Sequence, residues 1–501
     1  VRDRSRLRTG PGRLARYRSG GGHSVPTILR RRVPRLTPVR RVPRGFDRWT
    51  VIRIGVVAVV AYAAWLAVGE FGRPYNFFDM RIYHGAAVWW ANGHELYEFI
   101  APDTTLGFTY PPFAGLAMLP MAHLPIGLAG LVNAVASVAA LAVVLAALLR
   151  PIADRLNYPL WYAVALATVL AAALEPSRET IGYGQVNLLL FALVMADLVG
   201  LRWRSRRGTH VAPTDGHLLR FVYSGAWAGV GIGLATAVKL TPALFIAYLM
   251  ITRQWRAATT AIGTVLAVTI GSFAVVGPES RAYFGGVLWQ TERVGAADMT
   301  PNQSLAGLLA RLHDSIETPG LLWFTFAILV LALGLSRAAN ARADGDELTA
   351  FTLVGLTTSV ISPISWTHHL VWVIPAIIVL ADAAIRRRDA SRTLAARAGP
   401  EGPPGVNGLR PPIWYPMLTG LRHGAAALAL YLLFLISPIW PYEHQLPEVS
   451  HYQDGLFGAL MENSLALALI VLVAALPWRP GAEPAFYGER PGRPHPLTSR
   501  R

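Results

Sequence analysis

Apolar runs of about twenty residues recur along this chain, separated by short polar islands. A run of that length is what an α-helix needs to cross a hydrocarbon core of about 30 Å at a rise of about 1.5 Å per residue. The runs fall at about 51–69, 113–149, 158–174, 186–201, 222–238, 240–252, 256–277, 319–336, 348–361, 369–385, 421–439 and 458–477. The expectation is an all-α polytopic membrane protein with about twelve transmembrane helices. Pro120 and Pro125 interrupt the run 113–149, which is counted as a single kinked crossing rather than a re-entrant piece followed by a span. No internal repeat is visible.

The polar stretches divide the chain. Residues 1–49, rich in Arg, Pro and Gly, read as a disordered cytoplasmic arm, either solvated or held to anionic headgroups. Residues 50–385 form the transmembrane core, 386–420 a cytoplasmic Pro/Gly/Arg-rich linker, 421–478 the last transmembrane helices and 479–501 a basic cytoplasmic tail. The first apolar run begins near Val51 behind the arm, so no cleavable signal peptide is expected. The arginines gather in the tails and in alternate loops, which places both termini in the cytoplasm of a plasma-membrane protein. Stretch 70–112 is then extracytoplasmic, and its Trp89-Trp90 pair and amphipathic spacing predict short helices on the membrane surface. The same parity brings Asp79, Glu175, Arg178, Gln185, Asn302, Gln303, His368 and His369 to one face.

Composition sharpens this picture. The chain has 501 residues, 53% hydrophobic and 15% charged, more apolar than a soluble domain of that size requires. Its net charge of +17 follows the loop asymmetry, so membrane lipids rather than nucleic acid are the expected partners. Cysteine is absent, which excludes a disulfide framework, a thiolate metal site and a cysteine nucleophile. Lys239 is the single lysine among 46 lysines and arginines.

The polar islands carry the candidate chemistry. Asp79 lies in Phe77-Phe-Asp-Met-Arg-Ile-Tyr83, where a carboxylate can act as general base or pair with Arg81. His368-His369, after Trp366-Thr367, can bind a metal, steady a phosphate or belong to an interfacial belt. They lack the further ligands a metal wants, so phosphate contact is favoured and no metal or cofactor is expected. Lys239 stands before Pro242 at a helix break, where it either meets an anionic lipid phosphate or snorkels to headgroups. Gly182-Tyr-Gly-Gln-Val-Asn187 opens a run, as an anion contact or a plain helix start. Glu175 and Arg178 either pair together or bind ligand, and Asn302-Gln303-Ser304 equally fits a helix cap.

Taken in order, these pieces resemble the polyprenyl-phosphate-mannose-dependent α-1,2-mannosyltransferases of glycosyltransferase family 87, actinobacterial membrane enzymes of the GT-C architecture. The resemblance rests on Asp79-Met-Arg-Ile-Tyr83, Leu96-Tyr97, Phe108-Thr-Tyr-Pro-Pro-Phe113, Gly184-Gln-Val-Asn187, Lys239-Leu-Thr-Pro242, Asn302-Gln-Ser304 and Ser362-Pro-Ile-Ser-Trp-Thr-His-His369. It implies a polyprenyl-phosphate-mannose donor and a glycolipid or lipoglycan acceptor, such as a phosphatidylinositol mannoside, lipomannan or lipoarabinomannan. It also implies an acidic residue acting from the first external loop, a role that falls on Asp79. A single inverting displacement needs one base and no second carboxylate. His368, His369 and Lys239 are the candidates to hold the departing phosphate. Arg81, Tyr83, Tyr110, Glu175, Gln185, Asn302 and Gln303 are candidates for sugar or acceptor contact. The rival readings are an arabinosyl or protein O-mannosyl transferase of the same architecture, and a transporter or flippase.

The shared face is testable by topology reporters. Fusions after Thr104 and Thr318 are expected to read extracytoplasmic, and those after Thr209 and Arg388 cytoplasmic. Thr104 and Thr209 on the same side would break the argument for a common site.

Overall fold

The computed structural model describes residues 48–205, 216–313, 317–398, 415–443 and 455–482. The expected arm up to residue 47, the linker part 399–414 and the tail from 483 lie outside the described residues. The chain divides into two compact units, Val1–Val51 and Ile52–Arg501. The site lies in the second.

The described residues are helical, with no strand among them and two isolated bridges, Ile100 with Gly107 and Asn302 with Trp366. The first half runs α1 Arg48–Phe71, α2 Phe78–Ala91, α3 Pro112–Met118, α4 Ile126–Leu156, α5 Leu160–Ala173, α6 Glu175–Tyr183 and α7 Asn187–Ser205. Next come α8 His217–Ser224, α9 Val230–Val238, α10 Ala243–Ile251, α11 Trp255–Val275, α12 Gly277–Gly285 and α13 Leu305–Leu312. The chain continues through α14 Gly320–Ala343, α15 Glu347–Ile361, α16 Val373–Ala398, α17 Tyr415–Ile436, α18 Ile439–Glu443, α19 Gly455–Glu462 and α20 Ser464–Ala475.

Among the described residues, four helices are long and apolar enough to cross a membrane: α1, α4, α11 and α14. The number rises to six if the bent pairs α5–α6 (76°) and α19–α20 (68°) each count as one span. This makes the chain a multi-pass helical membrane protein. Several of the expected runs fold as shorter helices, for a local reason. The runs 222–238 and 240–252 become the nine-residue helices α9 and α10, because Lys239 is extended and Pro242 cannot continue a helix. The run 113–149 is also divided. Helix α3 stops at Met118, a 3₁₀ turn carries Pro120, and Pro125 caps the 31-residue α4. The expected single crossing from 113 is corrected to a short helix followed by a span. At about 1.5 Å per residue, α4 is roughly 46 Å long and exceeds a bilayer core by itself.

Helix α2 buries Met80, Ile82, Tyr83, Ala86 and Ala87 against the protein. Its Trp90 donates to Glu279 of α12 at 2.9 Å. The first polar stretch is therefore packed onto the bundle.

Charges inside the bundle are spent on helix ends and on one another. Asp197 of α7 accepts from the backbone N–H groups of Gly231 (3.2 Å) and Ile232 (2.6 Å), at the start of α9. These amides have no partner within their own helix, and the positive end of the helix dipole favours a carboxylate there. At the N-terminus of α15, buried Arg479 donates to Asp346 (2.6 Å) and Asp382 (2.8 Å), and Arg386 donates to Asp382 (2.7 Å).

Asp197→Leu is expected to strand two buried N–H donors. Each costs about 1–3 kcal/mol, so the thermal midpoint in detergent should fall clearly. An unchanged midpoint would mean that the start of α9 is satisfied in some other way.

Candidate active site

A pair of left-handed residues, Asn76 (φ 49°) and Phe77 (φ 52°), turns the chain between α1 and α2. Phe77 is pinned there, because its N–H donates to the Gly182 carbonyl at 3.0 Å. Asp79 therefore enters the first turn of α2 beside the end of α6. Gly184 closes α6 in the left-handed region (φ 77°), and a Cβ on it would fall 2.6 Å from Met80 Cβ. Any larger residue would push α2, and Asp79 with it, away from Gln185.

That approach puts Asp79 within reach of an amide. Gln185 Nε2 donates to Asp79 Oδ2 (2.8 Å) and to the Tyr83 hydroxyl (2.8 Å). Tyr83 donates to the Tyr110 hydroxyl (3.0 Å), and Tyr110 donates back to Gln185 Oε1 (2.9 Å). The three side chains close a ring, which fixes the amide orientation from the network itself. Asp79 is half-buried and lines the cavity. Burial pushes its carboxyl above the ordinary value, while His368, the Gln185 hydrogen bond and Lys239 pull it back.

A basic group adjoins this ring through Tyr110. Lys239 Nζ is 2.8 Å from His369 Nε2, 3.3 Å from Asn187 Oδ1 and 3.5 Å from the Tyr110 hydroxyl. Burial and the neighbouring ammonium hold His369 well below the usual histidine value. Its neutral Nε2 is thus the acceptor for Lys239. His368 is 5% exposed, and neither of its ring nitrogens has a hydrogen-bond partner among the described residues. Its Nδ1 lies 3.8 Å from Glu179 Oε2. With Nδ1 beside that carboxylate and Nε2 unpartnered among the described residues, the imidazole has one nitrogen left for a ligand at the cavity wall.

Asp79, Tyr83, Tyr110, Gln185, Lys239, His368 and His369 all line a cavity of about 480 Å³. Four other sequence candidates lie elsewhere. Arg81 is exposed, and its Nε donates to the Asn76 carbonyl at 3.0 Å. Glu175 is fully buried, paired with Arg178 and hydrogen-bonded by Trp440. Asn302 and Gln303 are also fully buried and bind backbone: Asn302 accepts from Ser365 N (2.9 Å), and Gln303 donates to the Glu462 carbonyl (2.8 Å). Among the described residues, no three His, Asp or Glu side chains gather as a metal set.

Sequence reasoning missed Glu179. Its carboxylate accepts from Arg73 (2.7 Å) and from the Thr367 hydroxyl, tying the α1–α2 connection and the histidine turn to α6. The available signal was its position four residues after Glu175, on the same face of a short helix.

Residues 108–363 match the profile of Glycosyltransferase family 87. The chain belongs to that family. It is therefore a glycosyltransferase, and the resemblance carried by the motifs is a membership. The matched region holds Tyr110, Gln185, Lys239 and Asn302, and leaves Asp79 and the paired histidines outside it. A polyprenol-phosphate-mannose-dependent alpha-(1-2)-phosphatidylinositol mannoside mannosyltransferase of Mycobacterium tuberculosis (strain ATCC 25618 / H37Rv) is 31% identical, over 70% of this chain and 80% of that protein. A polyprenol-phosphate-mannose-dependent alpha-(1-2)-phosphatidylinositol pentamannoside mannosyltransferase of Mycobacterium tuberculosis (strain CDC 1551 / Oshkosh) is 33% identical, over 71% and 78%. Among solved structures, ArnT from Cupriavidus metallidurans bound to undecaprenyl phosphate is 15% identical with a TM-score of 0.31, covering 85% of this chain and 78% of that one.

The Gln185 ring yields a prediction of stated sign. Gln185→Leu removes a hydrogen bond that favours the ionised Asp79. The acid limb of the pH–rate profile for glycosyl transfer is expected to move to higher pH, and turnover near neutrality to fall. An unmoved limb in a protein of normal thermal midpoint would separate Gln185 from Asp79.

Proposed function

We propose that this glycosyltransferase moves mannose from a polyprenyl-phosphate-mannose donor to a phosphatidylinositol-mannoside-type glycolipid, forming an α-1,2 linkage at the extracytoplasmic face of the plasma membrane. The supporting observation is that a held carboxylate and a lysine–histidine group line one cavity. Donor and acceptor class are taken from what the relatives are named for. Every residue in this account lies within the core 50–385. The GT-C architecture and the cytoplasmic termini belong to the same proposal.

The chemistry needs one base and one anion holder. Asp79 takes the proton from the acceptor 2-hydroxyl as its oxygen forms the new bond to the anomeric carbon. The bond from that carbon to the phosphate oxygen breaks, and its electron pair leaves with the polyprenyl phosphate. A single displacement inverts the anomeric carbon, so an α product comes from a β-linked donor. Lys239 and His368 meet the charge that grows on the phosphate, with His369 holding Lys239 in place. Charge-assisted hydrogen bonds in a site of low dielectric are the strongest non-covalent means of doing so. Tyr83, Tyr110 and Gln185 are positioning residues for Asp79, since their polar groups are engaged with one another and with it. Arg81, Glu175, Asn302 and Gln303 receive no part in sugar contact.

Asp79→Asn is expected to keep the fold and lose the reaction. The amide fits the same space but takes no proton, so mannose transfer by purified protein should fall by roughly 10²-fold or more. Arg81→Gln should transfer at nearly the unaltered rate, because Arg81 is exposed and bonds the Asn76 carbonyl rather than Asp79. Near-native turnover from Asp79→Asn would remove the base from this mechanism.

A further inference from the structure

The buried pair Asn302-Gln303 fastens two stretches of cavity wall together. Asn302 Oδ1 accepts from Ser365 N (2.9 Å), and its Nδ2 donates to the carbonyls of Ala297 (2.8 Å) and Pro363 (3.2 Å). Gln303 N donates to the Ser365 carbonyl at 2.9 Å, and Asn302 pairs with Trp366 as an antiparallel bridge. The stretch before Asn302 and the turn after α15 are thereby one unit. Both contribute to the cavity that holds Asp79: Arg293, Gly295 and Met299 from one, Trp366 from the other.

Two side chains on this wall have unspent binding capacity. Trp366 is half-buried, and its ring edge lies 3.0–3.2 Å from where a Cβ on Gly295 would stand. Among the described residues its indole pairs with no other ring and donates to no acceptor, although it lines the cavity. Arg293 is half-buried; its Nη2 donates to the Tyr97 carbonyl (2.7 Å) and its Nη1 reaches Gln290 Oε1 at 3.4 Å. It makes no ion pair with any described carboxylate, and its remaining N–H groups make no hydrogen bond among the described residues. The other cations of the cavity are committed: Arg73 to Glu179, and Lys239 to the histidine group.

We propose that Arg293 and Trp366 form the acceptor subsite, the indole seating a hexose ring and the guanidinium holding an anionic phosphodiester of the same glycolipid. This rests on the reading that the acceptor is a mannosylated phosphoinositide. The donor carries one phosphate, which the lysine–histidine group receives. A second anion in the cavity therefore belongs to the acceptor, and a guanidinium is the side chain whose donor fork matches a phosphate. The flat face of an indole suits the apolar C–H face of a hexose, and its N–H remains for a hydroxyl. In-line displacement sets attacking and leaving oxygens on opposite sides of the anomeric carbon.

The test is equilibrium binding to the full chain in nanodiscs without donor, so that it does not depend on turnover. The probes are a short-chain phosphatidylinositol mannoside and a neutral alkyl α-mannoside. Arg293→Gln is expected to weaken the anionic probe about tenfold, the loss of one hydrogen bond to a charged group. The neutral probe should bind within about twofold of the unaltered protein. Trp366→Leu should weaken both probes. Equal affinities for the anionic probe in Arg293→Gln and unaltered protein would overturn the subsite, as would equal losses for both probes. Unchanged mannoside binding by Trp366→Leu would overturn the role of the indole. Absence of mannose transfer to a probe that binds as expected would count against the proposed reaction and leave the subsite standing.

Discussion

The two hydrogens of the Gln185 amide determine how this site is built. One goes to Asp79 and the other to Tyr83, while the amide oxygen is taken by Tyr110. A carboxylate this close to an apolar interior would otherwise be free to rotate, or to fold back on the nearest cation. Held through one oxygen by a donor that is itself held, it has little rotational freedom, and the side chain presents its acceptor to the cavity. The requirement propagates outward. Gln185 reaches Asp79 only because Gly184 lets Met80 approach, and α2 starts where it does because Phe77 is hydrogen-bonded to Gly182. The Tyr110 hydroxyl then stands between the base and the cationic group, 3.5 Å from Lys239.

Much of this was legible in the sequence because polar residues are costly in an apolar chain, so each one that survives asks for a reason. Lys239, the paired histidines and Asp79 stood out on those grounds, and the structure gathers them with Tyr83, Tyr110 and Gln185. What the sequence did not disclose is how each polar group is satisfied. Asn302 and Gln303 read as sugar contacts, yet their amides are consumed by the backbone of the Ser362–His369 turn and by α19 and α20. Glu175 had an arginine three residues away and kept it. Arg81 is two positions from Asp79, which in a helix points the two side chains apart. Glu179 went unseen because its partners, Arg73 and Thr367, are far off in sequence. The run 113–149 was read as one crossing, and the structure divides it into α3 and α4. Pro125 was visible in the sequence, but a proline fits a kinked helix as well as a broken one, and hydropathy does not distinguish the two.

The two ends of α15 show the same residue types under opposite conditions. At its N-terminus Asp346 caps the helix and takes Arg479, while Asp382 takes Arg155, Arg386 and Arg479. Each charge there meets an opposite one, and the cluster locks the helix ends without leaving anything for a ligand. At its C-terminus the chain turns through Ser362–His369, and His368 has no hydrogen bond for either nitrogen, although it is 5% exposed. Buried polar atoms without partners are rare because each costs about 1–3 kcal/mol. Glu179 stands 3.8 Å from His368 Nδ1, so Nε2 is the nitrogen left for a substrate to complete.

Two carboxylates near this turn carry the argument further. Glu179 is fully buried, with one oxygen on Arg73 and the other on Thr367. Neither oxygen can receive a proton from a substrate without breaking a link that holds the histidine turn. Asp79 has a neutral amide on one oxygen and lines the cavity. An amide steadies a carboxylate without neutralising it, whereas an arginine would hold the charge so firmly that basicity is lost. The choice of partner therefore separates the two roles. The arginine-bound glutamate keeps the wall in place, and the amide-bound aspartate is left to accept a proton.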